Sequence, residues 1–231
     1  MFFPRSGPSI AVPAAIQPTW TRVAVDGDKK LAISLDTLKD FLNIPLEDDS
    51  YDAEKTAMLG VAQAAIETYC QMTVMRSTWV GAFPDLYDFT RITKRPFQSV
   101  SSIQYVDAAT GVITTLDPTT YLVSPIQQFC GIVSRGDSLA WPAFATRPDA
   151  VRITAVVGWT QDNIPFEVQQ AILITTAAVD RARADGGSGG GGARMSIFAM
   201  KHPAAMGASS LIPMEAKALL APYQLKKVVV A

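Results

Sequence analysis

His202 is the only histidine in the chain, and it sits beside Pro203. An imidazole works as a general base only when a nucleophile lies in reach and a carboxylate orients the ring. No such partners accompany His202 in the sequence, and no serine sits in a nucleophile elbow. Cys70 and Cys130 have neither the number nor the spacing of a disulfide framework or a zinc site. They read as free, buried thiols of a reducing compartment. The acidic stretch Glu47-Asp48-Asp49-Ser50-Tyr51-Asp52-Ala53-Glu54 invites a metal reading. It lacks the Asp-x-Asp-x-Asp-Gly frame of a calcium loop, so it reads instead as an acid-rich helix start that complements the helix dipole. Gly187 to Gly192 spells Gly-x-Gly-x-x-Gly. A dinucleotide site needs a strand before that motif and an acidic residue about 20 positions after it. A helical pattern precedes it here and no such acid follows, so the glycines read as a flexible linker. No catalytic, cofactor or metal site is expected.

Nucleic-acid binding is the next chemistry to weigh. Four tryptophans and six tyrosines could form a stacking platform, with Arg91, Lys94 and Arg95 as nearby cations. The whole chain argues against DNA coating, because 20 Lys+Arg face 21 Asp+Glu and the net charge is -1. A hydrophobic share of 48% excludes a disordered chain, and charged residues at 18% are scarce enough to suggest surface buried against other chains. No apolar run reaches the roughly 18 residues of a membrane span. The opening Met-Phe-Phe-Pro-Arg does not read as a signal peptide.

The elements that would position these residues follow from periodicity. Residues 1–32 carry Pro4, Pro8, Pro13 and Pro18 and read as an extended segment, either a disordered tail or an arm that orders on a neighbouring chain through Phe2, Phe3 and Trp20. Ser34 caps a short helix over 34–43, with Leu35, Leu38, Phe41 and Leu42 on one face. A second helix is expected over 52–71, from the spacing of Met58, Ala62, Ala65, Ile66 and Tyr69. From 73 to 159 the texture is β. Expected strands are Ser77–Ala82, Asp88–Ile92, Val100–Val106, Val112–Leu116, Tyr121–Val123, Gly131–Ser134 and Val151–Val157. A third helix over 165–184 opens at Pro165. Val168, Ala171, Ile172, Thr175 and Val179 form its stripe, and Leu173 and Ile174 widen it toward a subunit interface. A Gly-rich hinge over 185–193 leads to a basic tail over 194–231, in which Arg194, Lys201, Lys217, Lys226 and Lys227 face only Glu215. The expected fold class is α+β. A small helical bundle forms the core, with an inserted antiparallel β region, an extended N-terminal arm and a C-terminal tail.

Several segments, taken in order, resemble the head–tail connector (adaptor) proteins of long-tailed phages and prophages. They are Ser34–Leu42, the acids at Asp48-Asp49, Ile66-Glu67-Thr68-Tyr69, Trp79 with Phe83-Pro84, and the run Arg95-Pro96-Phe97-Gln98-Ser99-Val100-Ser101-Ser102-Ile103-Gln104-Tyr105-Val106-Asp107. Tyr121-Leu122-Val123, Trp141-Pro142, Arg147–Ile153, Ile164-Pro165 and Leu219-Leu220-Ala221-Pro222-Tyr223 complete the series. The resemblance covers 33–184 and 211–225. It departs from the family in the long proline-rich arm and the Gly-rich insertion. It implies a non-enzymatic virion protein of the neck, assembled in the host cytoplasm as a ring, commonly twelvefold, beneath the portal. The implied partners are other copies of itself, the portal protein, a downstream neck or tail protein, and DNA that passes without specific binding. Neither a membrane nor a cofactor is implied. The basic tail, with Lys217, Tyr223, Lys226 and Lys227, is the expected portal-binding segment. The alternatives are a nucleic-acid-binding module, and a head-closure or tail-terminator protein of the same neck.

Overall fold

A computed structural model describes residues 18–25, 31–87, 89–126, 130–136, 140–187 and 211–224. In chain order the elements are β1 (Thr19–Val25), α1 (Leu35–Leu42), α2 (Asp52–Cys70), β2 (Ser77–Phe83), β3 (Thr90–Ile92), β4 (Phe97–Val106), β5 (Ile113–Thr115), β6 (Tyr121–Ile126), β7 (Cys130–Arg135), β8 (Val151–Val157), α3 (Phe166–Gly187) and α4 (Met214–Leu220). The expected α+β class is borne out, with four helices and two antiparallel sheets among the described residues.

The helices begin and end where local chemistry dictates. The Ser34 side chain accepts the Thr37 N–H at 3.2 Å and caps α1, while Asn43 takes a left-handed conformation just before Ile44 and Pro45 stop the helix. Asp52 and Glu54 occupy the first turn of α2, as the dipole favours. Pro165 opens α3 through its carbonyl, which accepts the N–H groups of Val168 and Gln169. That helix runs three residues past the expected end, into the first two glycines of the Gly-rich run.

The chain has two apolar cores. The first lies among the four helices and includes Leu38, Leu59, Ala62, Ile66, Val168, Ile172, Ala216 and Leu220, all essentially inaccessible. The whole expected α3 stripe is buried, with Val168, Ala171 and Ile172 in this core. The second lies between a five-stranded sheet, ordered β1-β2-β8-β4-β5, and a three-stranded sheet, ordered β3-β7-β6. Ile103, Val151, Ile153 and Ala155 come from the larger sheet, and Ile92, Tyr121 and Val133 from the smaller. β8 is the central strand, paired antiparallel with both β2 and β4. Its face Val151, Ile153, Ala155 and Val157 is fully buried, as alternation predicts. Between β4 and β5, Asp107 accepts from Ala109 and Thr110, and Gly111 supplies the positive φ of 69° that the loop requires.

Two segments lie differently from a free arm and a free tail. Thr19–Val25, within the stretch read as an arm, is an edge strand paired with β2 of its own chain. Residues 211–224, within the stretch read as a tail, fold back onto α3 and bury Leu211, Ile212, Ala216 and Leu220 in the helical core.

Candidate functional site

Among the described residues no group of three or more His, Cys, Asp and Glu side chains could hold a metal ion. His202 and all but the first residue of the Gly187–Gly192 motif lie outside the described residues. Cys70 and Cys130 are both free thiols. Burial pushes the Cys70 thiol up to about 11, which keeps it protonated and unreactive at neutral pH. No described helix is long and apolar enough to cross a membrane. Both ends of α2 carry clusters of charged side chains.

At its N-terminal end α2 is tied to its neighbours by ion pairs. Lys39 of α1 is buried and reaches Asp52 at 2.6 Å and the Leu46 carbonyl at 3.1 Å. Lys55 meets Asp180 of α3 at 2.6 Å, and Glu54 pairs with Arg183. The connection from α1 to α2 leaves Leu46 and Tyr51 more than half exposed, with Glu47 and Asp49 exposed between them.

The C-terminal end is the joint between the two cores. Gln71 turns the chain in a left-handed conformation. The buried Arg95 guanidinium donates to the last carbonyls of α2, those of Cys70 and Gln71. A cation placed there complements the helix dipole. The Arg95–Pro96 peptide bond is cis. The Arg95 carbonyl accepts from Thr73 and the Pro96 carbonyl from Gly158, both at 2.8 Å. Glu67, in the last turn, accepts the Val74 N–H at 2.8 Å. Desolvation raises the Glu67 pKa despite that bond and despite Arg22 at 3.7 Å.

Beside this joint lies an open cleft of about 480 Å³ lined by Arg22, Glu67, Thr68, Gln71, Trp79, Lys94 and Arg95, among others. Arg22 and Trp79 face each other across the β1–β2 ladder. The Arg22 guanidinium lies 5.0 Å and the Lys94 ammonium 4.1 Å from the Trp79 ring centroid, within cation–π range. Burial and the nearby Arg22 lower the Lys94 pKa.

The residues singled out from the sequence fall in scattered places. Phe2, Phe3, Lys226 and Lys227 lie outside the described residues. Trp20 is half-buried on β1 and packs edge-on against Phe83 of its own chain, with centroids 5.7 Å apart. Leu173 is buried in the helical core, whereas Ile174 lines a groove with Phe41, Ala178, Arg181 and Pro213. Lys217 is half-buried on α4. Tyr223 packs edge-on against Trp159 at 6.1 Å, and its hydroxyl donates to Glu167 at 3.3 Å. Of the candidate nucleic-acid cations, Arg91 is exposed on β3, Lys94 lies over Trp79, and Arg95 is buried as a helix cap. Sequence reasoning missed the cleft because it missed β1. The run Thr-Trp-Thr-Arg-Val-Ala-Val after Pro18 carried the signal, being rich in β-branched and aromatic residues.

Neck particles supply the structural likeness. A chain from the neck of an empty gene transfer agent (GTA) particle, computed with C6 symmetry, matches with a TM-score of 0.65 and 18% identity, over 92% of this chain and 98% of that one. A chain from the virion of the native GTA particle matches at 0.64 with 20% identity over the same shares. One from the native neck computed with C12 symmetry matches at 0.59 with 19% identity, again over 92% and 98%. This chain has their fold. No family model matches the sequence. No curated protein matches it at a significant level. The likeness spans both cores, so helical bundle and β sandwich together form the unit of comparison.

Proposed function

We propose that this protein is a non-catalytic structural subunit of a virion neck. In this reading it is a head–tail adaptor that forms a closed ring beneath the portal, extends the DNA channel and presents a docking surface to the next neck or tail protein. The observation that carries the reading is the near full-length likeness to chains of GTA necks and virion. The sequence resemblance to phage adaptors points to the same place independently. Necks computed with C6 and C12 symmetry suit a ring of sixfold or twelvefold order, and we favour twelve. The near-neutral charge suits a passage that DNA must slide through and leave.

Portal docking is assigned to the basic C-terminal segment. With Tyr223 packed on Trp159 and Lys217 half-buried on α4, docking is assigned to the residues after Gln224, which include Lys226 and Lys227. Electron microscopy of the purified chain mixed with its portal tests the reading. A ring stacked coaxially on the portal is the expected result, and its symmetry gives the copy number. A protein that stays monomeric with the portal, or a ring seated at the far end of the neck, overturns the adaptor assignment. Truncation after Gln224 tests the docking segment, because it spares the core residues of α4. Deletion from Gly186 onward would also remove Leu211, Ile212, Ala216 and Leu220 from the helical core.

A further inference from the structure

The two ends of α2 are complementary, and they cannot meet within one chain. One end presents the loop Leu46-Glu47-Asp48-Asp49-Ser50-Tyr51, with Glu47 and Asp49 exposed and with exposed apolar side chains at both flanks, Leu46 at 52% and Tyr51 at 59%. The other end carries the Arg22–Trp79–Lys94 cleft, whose ionisable lining is three cations and one acid. Arg95 is already committed to the α2 carbonyls and Glu67 to the Val74 N–H. Arg22 is shared with Glu67 at 3.7 Å, and Lys94 has no carboxylate partner among the described residues. The 19 residues of α2 hold loop and cleft about 28 Å apart, at a rise of 1.5 Å per residue.

We propose that the acidic loop of one copy docks into the Arg22–Trp79–Lys94 cleft of the next copy. The contact is heterologous, with different patches on the two partners, and contacts of that kind close into rings when the rotation allows. Lys94 then gains a carboxylate from Glu47 or Asp49. Tyr51 and Leu46 cover the Trp79 face and its surroundings, excluding water from the ion pair. A loop that only capped the α2 dipole would not need two large apolar side chains held out in solvent, and a cleft that only stiffened β1 would not need a cation facing no acid. This inference rests on the ring proposed above and specifies how its subunits join.

Carbodiimide coupling of the unmodified chain tests it directly, in solution and in the assembled neck. The reagent joins a lysine to a carboxylate it touches. A peptide linking Lys94 to Glu47, Asp48 or Asp49 should appear in oligomers and be absent from monomer. Charge reversal supplies the second measurement. Asp49→Lys and Lys94→Glu should each reduce ring formation at least tenfold, and the double variant should recover most of it, with thermal unfolding confirming that each variant folds. If rings form with no such crosslink, or if each single reversal leaves them intact, this contact is wrong while the neck reading stands. If no ring forms in solution or in the neck, both fail.

Discussion

The N-terminal end of α2 is held by side chains of its own helical bundle, whereas the C-terminal end is held by groups from the β sandwich. At the first end three ion pairs link α2 to α1 and α3, and all three carboxylates keep contact with solvent. At the second, the buried Arg95 donates to the last helix carbonyls, the largely covered Glu67 carboxylate accepts the Val74 N–H, and Gly158 donates to the Pro96 carbonyl. Partly exposed pairs are weak individually and are screened by salt. Buried hydrogen bonds are not, and leaving one partner of a buried bond unpaired is costly. The first end can therefore yield locally, while damage at the second disturbs both cores.

Gly158 gives the sharpest way to break that contrast. It has a φ of 93°, and a Cβ there would lie 2.4 Å from the Met75 carbonyl oxygen. Its neighbours fix the joint, since Trp159 donates to Val74 and accepts from Arg76. Gly158→Ala combines a disfavoured backbone with a clash against main chain, and should cost about 4 kcal/mol. Chemical denaturation should show both cores losing stability together. An unchanged midpoint would mean that the joint does not couple them.

Arg95→Ala comes next. It strips the cap from the buried Cys70 carbonyl and the partly buried Gln71 carbonyl and should cost about 3 kcal/mol, in the range of lost bonds to a charged donor. Arg95→Lys should recover only part of this, because a single ammonium cannot reproduce the guanidinium fork. At the other end, Asp52→Asn leaves the buried Lys39 facing a neutral amide. Its expected cost is about 1.5 kcal/mol, since Lys39 keeps the Leu46 carbonyl and Asp52 was partly solvated. Added salt should weaken the wild-type contribution at this end and leave the Arg95 effect unchanged. Equal salt sensitivity of the two would remove the distinction.

The sequence made these two ends legible to different degrees. The N-terminal end was readable because caps and dipole-complementing acids are local signals. Ser34, Ile44-Pro45 and the acids at the start of α2 all lie within a few residues of what they control. The stripe of α3 and the alternation of β8 were readable because periodicity is also local. The joint was not. Arg95 stood out as part of a family-like run, yet its partners, the carbonyls of Cys70 and Gln71, lie 25 and 24 residues away. The cleft needs Arg22, Trp79 and Lys94 from three separate segments. The tail misled through composition. Its lysines suggested reach, while Leu211, Ile212, Ala216 and Leu220, four small or apolar residues among them, anchor the segment to the core.

Glu67 carries the smallest expected effect and the most specific one. Burial raises its pKa above the ordinary glutamate range. Where the unfolded chain has already lost this proton, the folded chain still holds it. The unfolded state then binds fewer protons, so stability falls as pH rises from the ordinary glutamate range through the folded-state pKa. Asp149 behaves oppositely. Hydrogen bonds from Arg147 and Arg152 hold its pKa at about 2, so its contribution is present above the ordinary aspartate range and is lost as pH falls toward 2. The two windows lie on opposite sides of the ordinary carboxylate range, so each can be read separately. Glu67→Gln keeps an oxygen acceptor for the Val74 N–H and removes the charge. Its stability profile should lose the decline above the glutamate range while keeping the acid limb, and it should be no less stable than wild type near neutral pH. A decline that persists in Glu67→Gln would place the titrating group elsewhere.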